Sequence, residues 1–143
     1  TYWNSKEQIK NAAQIFMRRS KRKPKGMMIL TFGVESMSLE KKKCIPCNGD
    51  IPAMNLRQIR PLLVQLNENW KLIEEHHIER EFLFEDFATA LEFVNSAGEI
   101  CEQENHHADF QLSWGKVKVS IWTHKIDGLA EADFILAAKI DKI

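Results

Sequence analysis

Apolar and polar residues alternate along several short stretches of this chain, as they do in β-strands with one buried face. The alternation is clearest from Ile78 to Phe84, where mostly acidic residues separate positions that are mostly apolar. The stretch Trp70–Glu75 before it predicts a partner strand. A second pair, Phe110–Trp114 and Val117–Thr123, is joined by Gly115-Lys116, a two-residue connection that suits a tight hairpin. The pattern therefore predicts two antiparallel hairpins.

Before each hairpin, apolar residues recur at intervals of three and four, which is the spacing of a buried helix face. Asn55 followed by Gln58 predicts a reciprocally capped helix, in which Pro61 causes a kink or delays the regular part of the helix. Asp86 is a good N-cap for the next helix, whose apolar stripe runs through Phe87–Cys101. The cysteine that ends this stripe is therefore expected to be a buried small hydrophobic residue rather than a nucleophile.

A third helix is predicted over Leu129–Ile143, after Gly128 breaks the chain. Phe134 and Ile135 widen its apolar stripe, and so broad an apolar surface on a terminal helix indicates a subunit interface. The full order is helix, two strands, helix, two strands, helix. This order predicts an α+β fold, in which three helices pack on one face of a four-stranded antiparallel sheet.

Charge is distributed unevenly along the 143 residues, which otherwise suffice for one compact domain. Residues 1–43 hold 11 Lys and Arg against 3 Asp and Glu, whereas the remainder holds 9 against 17. We therefore divide the chain into a basic leader over residues 1–40 and a domain over residues 41–143. The run RRSKRKPK at Arg18–Lys25 is compatible with an organellar transit segment, a nuclear-type cluster or a leader without a structural role. We expect a cytoplasmic protein, or an organellar one if the leader is a transit segment.

The three cysteines do not make an even disulfide framework, which favours a reducing compartment. Cys44 and Cys47 form a C-x-x-C motif without a second pair downstream. A structural zinc site usually needs four ligands, and a redox C-x-x-C normally opens a helix in a thioredoxin-like pattern. Both cysteines are therefore weak candidates for a metal or redox role, and a structural turn is the other interpretation.

The segment from Glu102 to Asp133 places three histidines at the ends of predicted elements. His106 and His107 follow a helix, and His124 follows a strand. Two adjacent imidazoles do not easily join a third around one metal ion. Proton transfer asks less, because two imidazoles facing one substrate can act as acid and base near neutrality. The other interpretation is a set of capping and hydrogen-bonding histidines.

A second histidine doublet, His76-His77, lies between the first two predicted strands and follows two glutamates. This position predicts a solvated hairpin turn rather than a functional site, so we leave the doublet out of the candidate site.

Several motifs in the second half of the chain form a specific set. They are E-x-x-x-H-H, an aromatic residue beyond it, a T-H pair, G-L-x-x-x-D and L-A-x-x-I-D. Jointly they resemble the pterin-4a-carbinolamine dehydratases over Cys44–Ile143, and the C-x-x-C with Asn48 and the WGKV hairpin resemble the bacterial and plant-type branch. The family usually has proline after the doublet, where this chain has Ala108. The matching positions are Glu102, His106, His107, Trp114, Thr123-His124, Gly128-Leu129, Asp133, Leu136-Ala137 and Ile140-Asp141.

The resemblance implies a hydro-lyase that dehydrates 4a-hydroxytetrahydropterin, such as 4a-hydroxytetrahydrobiopterin, to the quinonoid dihydropterin in cofactor recycling. No metal or other cofactor is implied. His106 and His124 would be the acid and base pair, and His107 would hold the substrate or the leaving hydroxyl, so that all three are implied to be catalytic. The resemblance further implies a group of residues that bind the pterin or orient the histidines, namely Glu102, Asn105, Phe110, Trp114 and Asp133.

The expected partners are a pterin substrate and further copies of the chain, with neither nucleic acid nor membrane. A homodimer or homotetramer would form through a sheet edge and the C-terminal helix. The alternative function is a non-catalytic dimerisation or protein-binding module of the same fold, since animal members of the family also act as dimerisation partners of a homeodomain transcription factor.

Overall fold

The computed structural model describes residues 37–46 and 48–143. Within these residues, no helix is both long and apolar enough to cross a membrane. The predicted leader lies mostly outside the described residues, and so does Cys47. The elements are a 3₁₀ turn at Leu39–Lys41, helix α1 at Leu56–Leu63, strands β1 at Lys71–Ile73 and β2 at His77–Leu83, helix α2 at Phe87–Glu104, strands β3 at Asp109–Ser113 and β4 at Lys116–Ile121, a 3₁₀ turn at His124–Ile126 and helix α3 at Glu131–Ile140.

The four strands form one antiparallel sheet in the order β1-β2-β4-β3, which confirms the predicted α+β class. Strand β4 is central, because it pairs with both β2 and β3. Its Val117, Val119 and Ile121 are fully buried, as their alternation predicted. Self-association through a sheet edge stays a prediction, and the edges of this sheet are β1 and β3.

Helix α1 begins as its sequence predicted. The side chain of Asn55 accepts hydrogen bonds from the amides of Arg57 and Gln58, and the Gln58 side chain accepts one from the Asn55 amide. Pro61 lies inside the helix, which ends two residues later at Leu63. The regular part therefore starts at the cap rather than after the proline.

Helix α2 buries a face that is rotated from the predicted stripe. Asp86 caps it by accepting a hydrogen bond from the Thr89 amide at 2.8 Å, as expected. Phe87 and Leu91, predicted to be buried, are 42% and 40% exposed, whereas Phe93 is 7% exposed. The Phe93 ring packs against two aromatic rings of the β2 segment, at centroid distances of 4.5 Å and 5.2 Å. Aromatic packing on the sheet thus determines which side of α2 faces inward.

Helix α3 is shorter than predicted and is buried on nearly all sides. Phe134 and Ile135, which indicated a subunit interface, are 0% and 3% exposed within a single chain. The helix packs against α1, α2 and the turn at Leu39–Lys41, and Leu39 from that turn is itself buried. The chain itself therefore covers the apolar surface that indicated an interface, and self-association through this helix stays a prediction.

The β3–β4 turn is formed by Trp114 and Gly115 rather than by the predicted Gly115-Lys116, because Lys116 pairs with Ser113. Gly115 has φ +61°, and a Cβ there would lie 2.8 Å from the carbonyl oxygen of Phe84. The Phe84 amide also donates a hydrogen bond to the Gly115 carbonyl at 2.7 Å. The close backbone contact and the positive φ explain why glycine occupies this position.

Candidate active site

A pocket of about 290 Å³ lies at the end of β4 opposite the Gly115 turn. It is formed by the end of α2, the end of β4 and Pro46 of the C-x-x-C segment. The sequence places few large apolar side chains there, so the pocket has polar walls. Its lining residues are Pro46, Asn105, His106, His107, Trp122, Thr123, His124 and Lys125.

The end of α2 aims the histidine doublet at this pocket. Asn105 adopts a left-handed conformation with φ 50° and ψ 37°, which asparagine tolerates better than most residues. The His106 amide then donates back to the Cys101 carbonyl at 3.1 Å, closing the helix as in a Schellman motif. Ala108, where the family usually has proline, packs against the core. The chain direction after α2 is therefore set by the helix cap.

Asp133 anchors the floor of the site. Its carboxylate is fully buried and accepts three hydrogen bonds, from His106 Nε2 at 2.6 Å, Thr123 Oγ1 at 2.9 Å and the Ala130 amide at 2.7 Å. Because a carboxylate only accepts, His106 Nε2 carries a proton, and Nδ1 is the nitrogen that Asp133 does not engage. Asp133 does not line the pocket, so its expected role of orienting a histidine fits the structure better than contact with substrate.

Glu102 orients the second histidine. Its Oε1 lies 2.7 Å from His107 Nε2, and the two side chains are 79% and 56% exposed. The pair lies at the rim of the pocket, in contrast to the buried pair that holds His106. The doublet thus presents one fixed imidazole and one open to solvent.

His124 reaches the pocket from a separate element. It begins the 3₁₀ turn that follows β4, and a backbone bridge from Thr123 to Gly128 closes the base of this turn, with N to O 2.9 Å. A Cβ at Gly128 would lie 2.5 Å from the Ala53 Cβ. The His124 ring lies 4.4 Å from the Trp122 ring, centroid to centroid. The site therefore contains an aromatic wall beside the third histidine.

The sequence interpretation missed Trp122 and chose two other aromatic residues. Trp114 is 76% exposed at the opposite end of β4, and six residues of strand separate it from the pocket by roughly 20 Å. Phe110 pairs with Val119 in the sheet and packs against the core. Neither residue lines this pocket of the single chain, and their contact with substrate stays a prediction. The available signal was the position of Trp122 directly before Thr123-His124, on the face of β4 opposite its buried valines.

The His76-His77 doublet is not the solvated turn that its glutamate neighbours predicted. The two Nδ1 atoms lie 3.1 Å apart, and His76 Nε2 lies 3.0 Å from Asp127 Oδ1. Both rings pack near Trp122, with centroid distances of 5.6 Å and 5.8 Å. The pairing of Ile78 with Ile121 explains this, because it brings the β1–β2 turn beside the end of β4.

The described cysteines have a structural environment. Cys44 is buried, its thiol donates to the Ala132 carbonyl at 3.4 Å, and its amide donates to Glu104 at 2.9 Å. Burial, and then the nearby Glu104 carboxylate, raises the pKa of the Cys44 thiol to about 12, which disfavours the thiolate that metal binding and redox chemistry need. Cys47 lies outside the described residues. Cys101 is buried, as predicted. Among the described side chains, no three His, Cys, Asp or Glu residues are grouped to hold a metal ion.

The fold and the pocket together define an α+β protein in which carboxylates hold two of three converging histidines, a combination suited to proton transfer. A sequence profile described as "Pterin 4 alpha carbinolamine dehydratase" matches residues 52–143, and the chain belongs to this family.

Curated relatives and a solved structure agree with this membership. A relative from Alkaliphilus metalliredigens, assigned as a pterin-4-alpha-carbinolamine dehydratase, is 51% identical over 105 residues, which cover 73% of this chain and 95% of the relative. A relative from Rickettsia bellii with the same assignment is 50% identical over 104 residues, covering 73% of this chain and 92% of the relative. The crystal structure of a transcriptional coactivator/pterin dehydratase from Brucella melitensis matches with a TM-score of 0.59 at 27% identity, covering 63% of this chain and 96% of that chain.

Proposed function

We propose that this chain dehydrates a 4a-hydroxytetrahydropterin to the quinonoid dihydropterin by histidine acid–base catalysis. The observation that carries the proposal is the presence of His106 and His124 in one pocket, on two different elements. The assignments of the relatives support the substrate class.

The reaction requires an acid and a base that face the same ring system. The acid protonates the hydroxyl group at C4a, the C–O bond breaks and water leaves. The base takes the proton from N5, and the electron pair of the N–H bond forms the C4a=N5 double bond. Because the two reacting positions are adjacent atoms, one ligand has to be approached from two directions. His106 from the end of α2 and His124 from the turn after β4 provide these two directions.

The surroundings give the two imidazoles different roles in holding the ligand. Asp133 fixes His106 through Nε2, so Nδ1 is the nitrogen that exchanges a proton with the substrate. Trp122 offers a flat aromatic surface beside His124, on which a planar bicyclic ring can stack. His107 at the exposed rim, held by Glu102, is suited to bind the departing hydroxyl. These groups make up the proposed machinery.

The proposal is tested by measuring dehydration of 4a-hydroxytetrahydropterin above its spontaneous rate. We expect His106→Ala and His124→Ala each to lower kcat by about two orders of magnitude or more, the scale of positioned acid and base groups. Trp122→Ala should raise KM, because it removes the stacking surface. Trp114→Ala is the matched control, since it removes an exposed tryptophan from the far end of β4 and should leave both constants unchanged.

The same variants separate catalysis from the alternative of a protein-binding module. If the wild-type chain dehydrates the pterin and the two histidine variants do not, catalysis in this pocket is supported. Equal rates in the wild type, His106→Ala and His124→Ala would refute it. If the pocket does not bind pterin at all, a pterin titration followed by tryptophan fluorescence would give the same result for the wild type and for Trp122→Ala.

A further inference from the structure

The β1–β2 turn presents two histidines side by side toward the end of β4. Glu74 and Glu75 both have positive φ, at 49° and 56°, and the His76 amide donates to the Ile73 carbonyl at 2.9 Å. These two left-handed residues reverse the chain within a short distance. As a result, His76 in the turn and His77 at the start of β2 share one side of the turn, with rings 5.3 Å apart.

His76 contacts the far end of the 3₁₀ turn that carries His124. Asp127 is the C-cap of that turn and adopts a left-handed conformation, and its Oδ1 lies 3.0 Å from His76 Nε2. Since the carboxylate accepts, His76 Nε2 carries a proton, and in the neutral ring Nδ1 accepts from His77 Nδ1 at 3.1 Å. The hydrogen bonds therefore run in one direction, from His77 through His76 to Asp127.

The same two histidines also contact the near side of that turn. Both rings lie within 6 Å of the Trp122 ring, and the His124 ring lies against Trp122 at 4.4 Å. Trp122 thus packs near both the doublet and His124. The doublet itself does not line the pocket, so any influence it has on a ligand passes through Trp122, Asp127 or His124.

The His124 turn needs such support. It is three residues long, it has no side-chain cap, and His124 itself is exposed. The bridge between Thr123 and Gly128 closes its base through backbone atoms alone. A short exposed turn of this kind leaves the imidazole free to change orientation unless neighbouring groups restrict it.

We propose that His76 and His77 are positioning residues of the active site, which hold Trp122 and His124 in place from the β1–β2 turn. The effect of the doublet on the reaction rate rests on the proposed function, whereas its effect on the position of the His124 ring does not. The charged groups that face the doublet are Asp127 and Glu79, whose Oε2 lies 3.6 Å from His77 Nε2 and 3.2 Å from Lys118 Nζ. Because Asp127 is 92% exposed, its contact with His76 contributes little to overall stability, which separates positioning from folding.

The test compares His76→Ala, His76→Gln and the control Glu75→Gln in the full chain. The glutamine side chain at position 76 retains a donor for Asp127, and Glu75 is an exposed residue of the same turn. We expect His76→Ala to lower kcat about tenfold with KM changed less than about twofold and the unfolding midpoint unchanged. His76→Gln should recover most of the loss, and Glu75→Gln should match the wild type. The His124 ring resonances, assigned by NMR with His124→Gln, should shift in His76→Ala only.

Wild-type kcat together with unmoved His124 resonances in His76→Ala would overturn the proposal. If the wild type itself shows no dehydratase activity, the proposed function fails, and the His124 resonances alone then support or overturn the positioning role. If His76→Ala does not fold, Asp127→Gly makes the same comparison from the other partner, because glycine removes the acceptor and also accepts a left-handed backbone. Unmoved His124 resonances in that variant would equally overturn the proposal.

Discussion

Replacing Asp133 by asparagine tests how the buried carboxylate controls His106. In the native chain, Oδ2 accepts from Thr123 Oγ1 and the Ala130 amide, while Oδ1 accepts from His106 Nε2. The single oxygen of asparagine can keep the first two contacts. Its amide group then faces His106 Nε2, which has to become an acceptor. The proton of the imidazole therefore moves to Nδ1, the nitrogen that should exchange a proton with substrate.

The expected losses of stability and of kcat follow from this change of the His106 tautomer. One charge-assisted contact is lost and no donor is left unpaired, so we expect Asp133→Asn to reduce the free energy of unfolding by about 1–3 kcal/mol. The wrong tautomer should lower kcat on the order of 10²–10⁴-fold, as for other misdirected catalytic imidazoles. In Asp133→Ala, the buried Thr123 hydroxyl and two partly buried donors lose their acceptor, and we expect a stability loss of roughly 3–5 kcal/mol.

The assay combines pterin dehydration kinetics, urea unfolding and ¹⁵N NMR of the imidazole, whose two nitrogens have different shifts when protonated. The expected result for Asp133→Asn is a folded protein with His106 protonated at Nδ1 and a large loss of kcat. Retention of the Nε2 proton with a native rate would refute the reasoning. A loss of rate that merely tracked the unfolded fraction would refute it as well.

Two further predictions concern the scaffold. The pKa of the Cys44 thiol is raised in the folded chain from an ordinary value near 9 to about 12, so the unfolded chain releases this proton at a lower pH than the folded chain. The stability advantage of the wild type over Cys44→Ala, measured by urea unfolding, should therefore shrink as pH rises above 9. An advantage that grows with pH would contradict this. Gly115→Ala should lower the free energy of unfolding by about 1–3 kcal/mol, because it combines a positive φ with a Cβ close to the Phe84 carbonyl. The control Gly98→Ala has open space around its Cβ inside α2, and it should be neutral or stabilising by about 1 kcal/mol. Equal effects of the two substitutions on urea unfolding would show that the Gly115 contact is unimportant.

Much of the fold follows from periodicity because a strand or helix buries one face at a fixed interval. The buried side of β4 and the cap at Asn55 were predicted for this reason. The rotation of α2 was not, since Phe93 is buried by rings that belong to another element. The residues that cover the broad apolar surface of α3 were not predicted either. An apolar surface shows that something covers it, but sequence alone does not say whether the cover is another subunit or Leu39 of the same chain.

The candidate site likewise contains residues that local sequence predicts and residues whose contacts depend on the fold. His106, His107 and His124 were predicted because histidines at element ends tend to converge, and the structure brings all three to one pocket. Trp114 was chosen by matching a motif without locating it along the hairpin, whose two ends lie far apart. The part played by His76 was hidden because it depends on strand pairing across the sheet, which local composition does not encode.

The three hydrogen bonds to Asp133 also have a consequence for chain integrity. This one carboxylate ties the start of α3 to the end of β4 and to His106 after α2. Of these segments, α3 is synthesised last. A nascent or proteolytically clipped chain that lacks Asp133 can still contain every histidine of the pocket, yet it has no group to hold His106. Dehydratase activity would therefore require both a formed sheet and a chain that includes the start of α3.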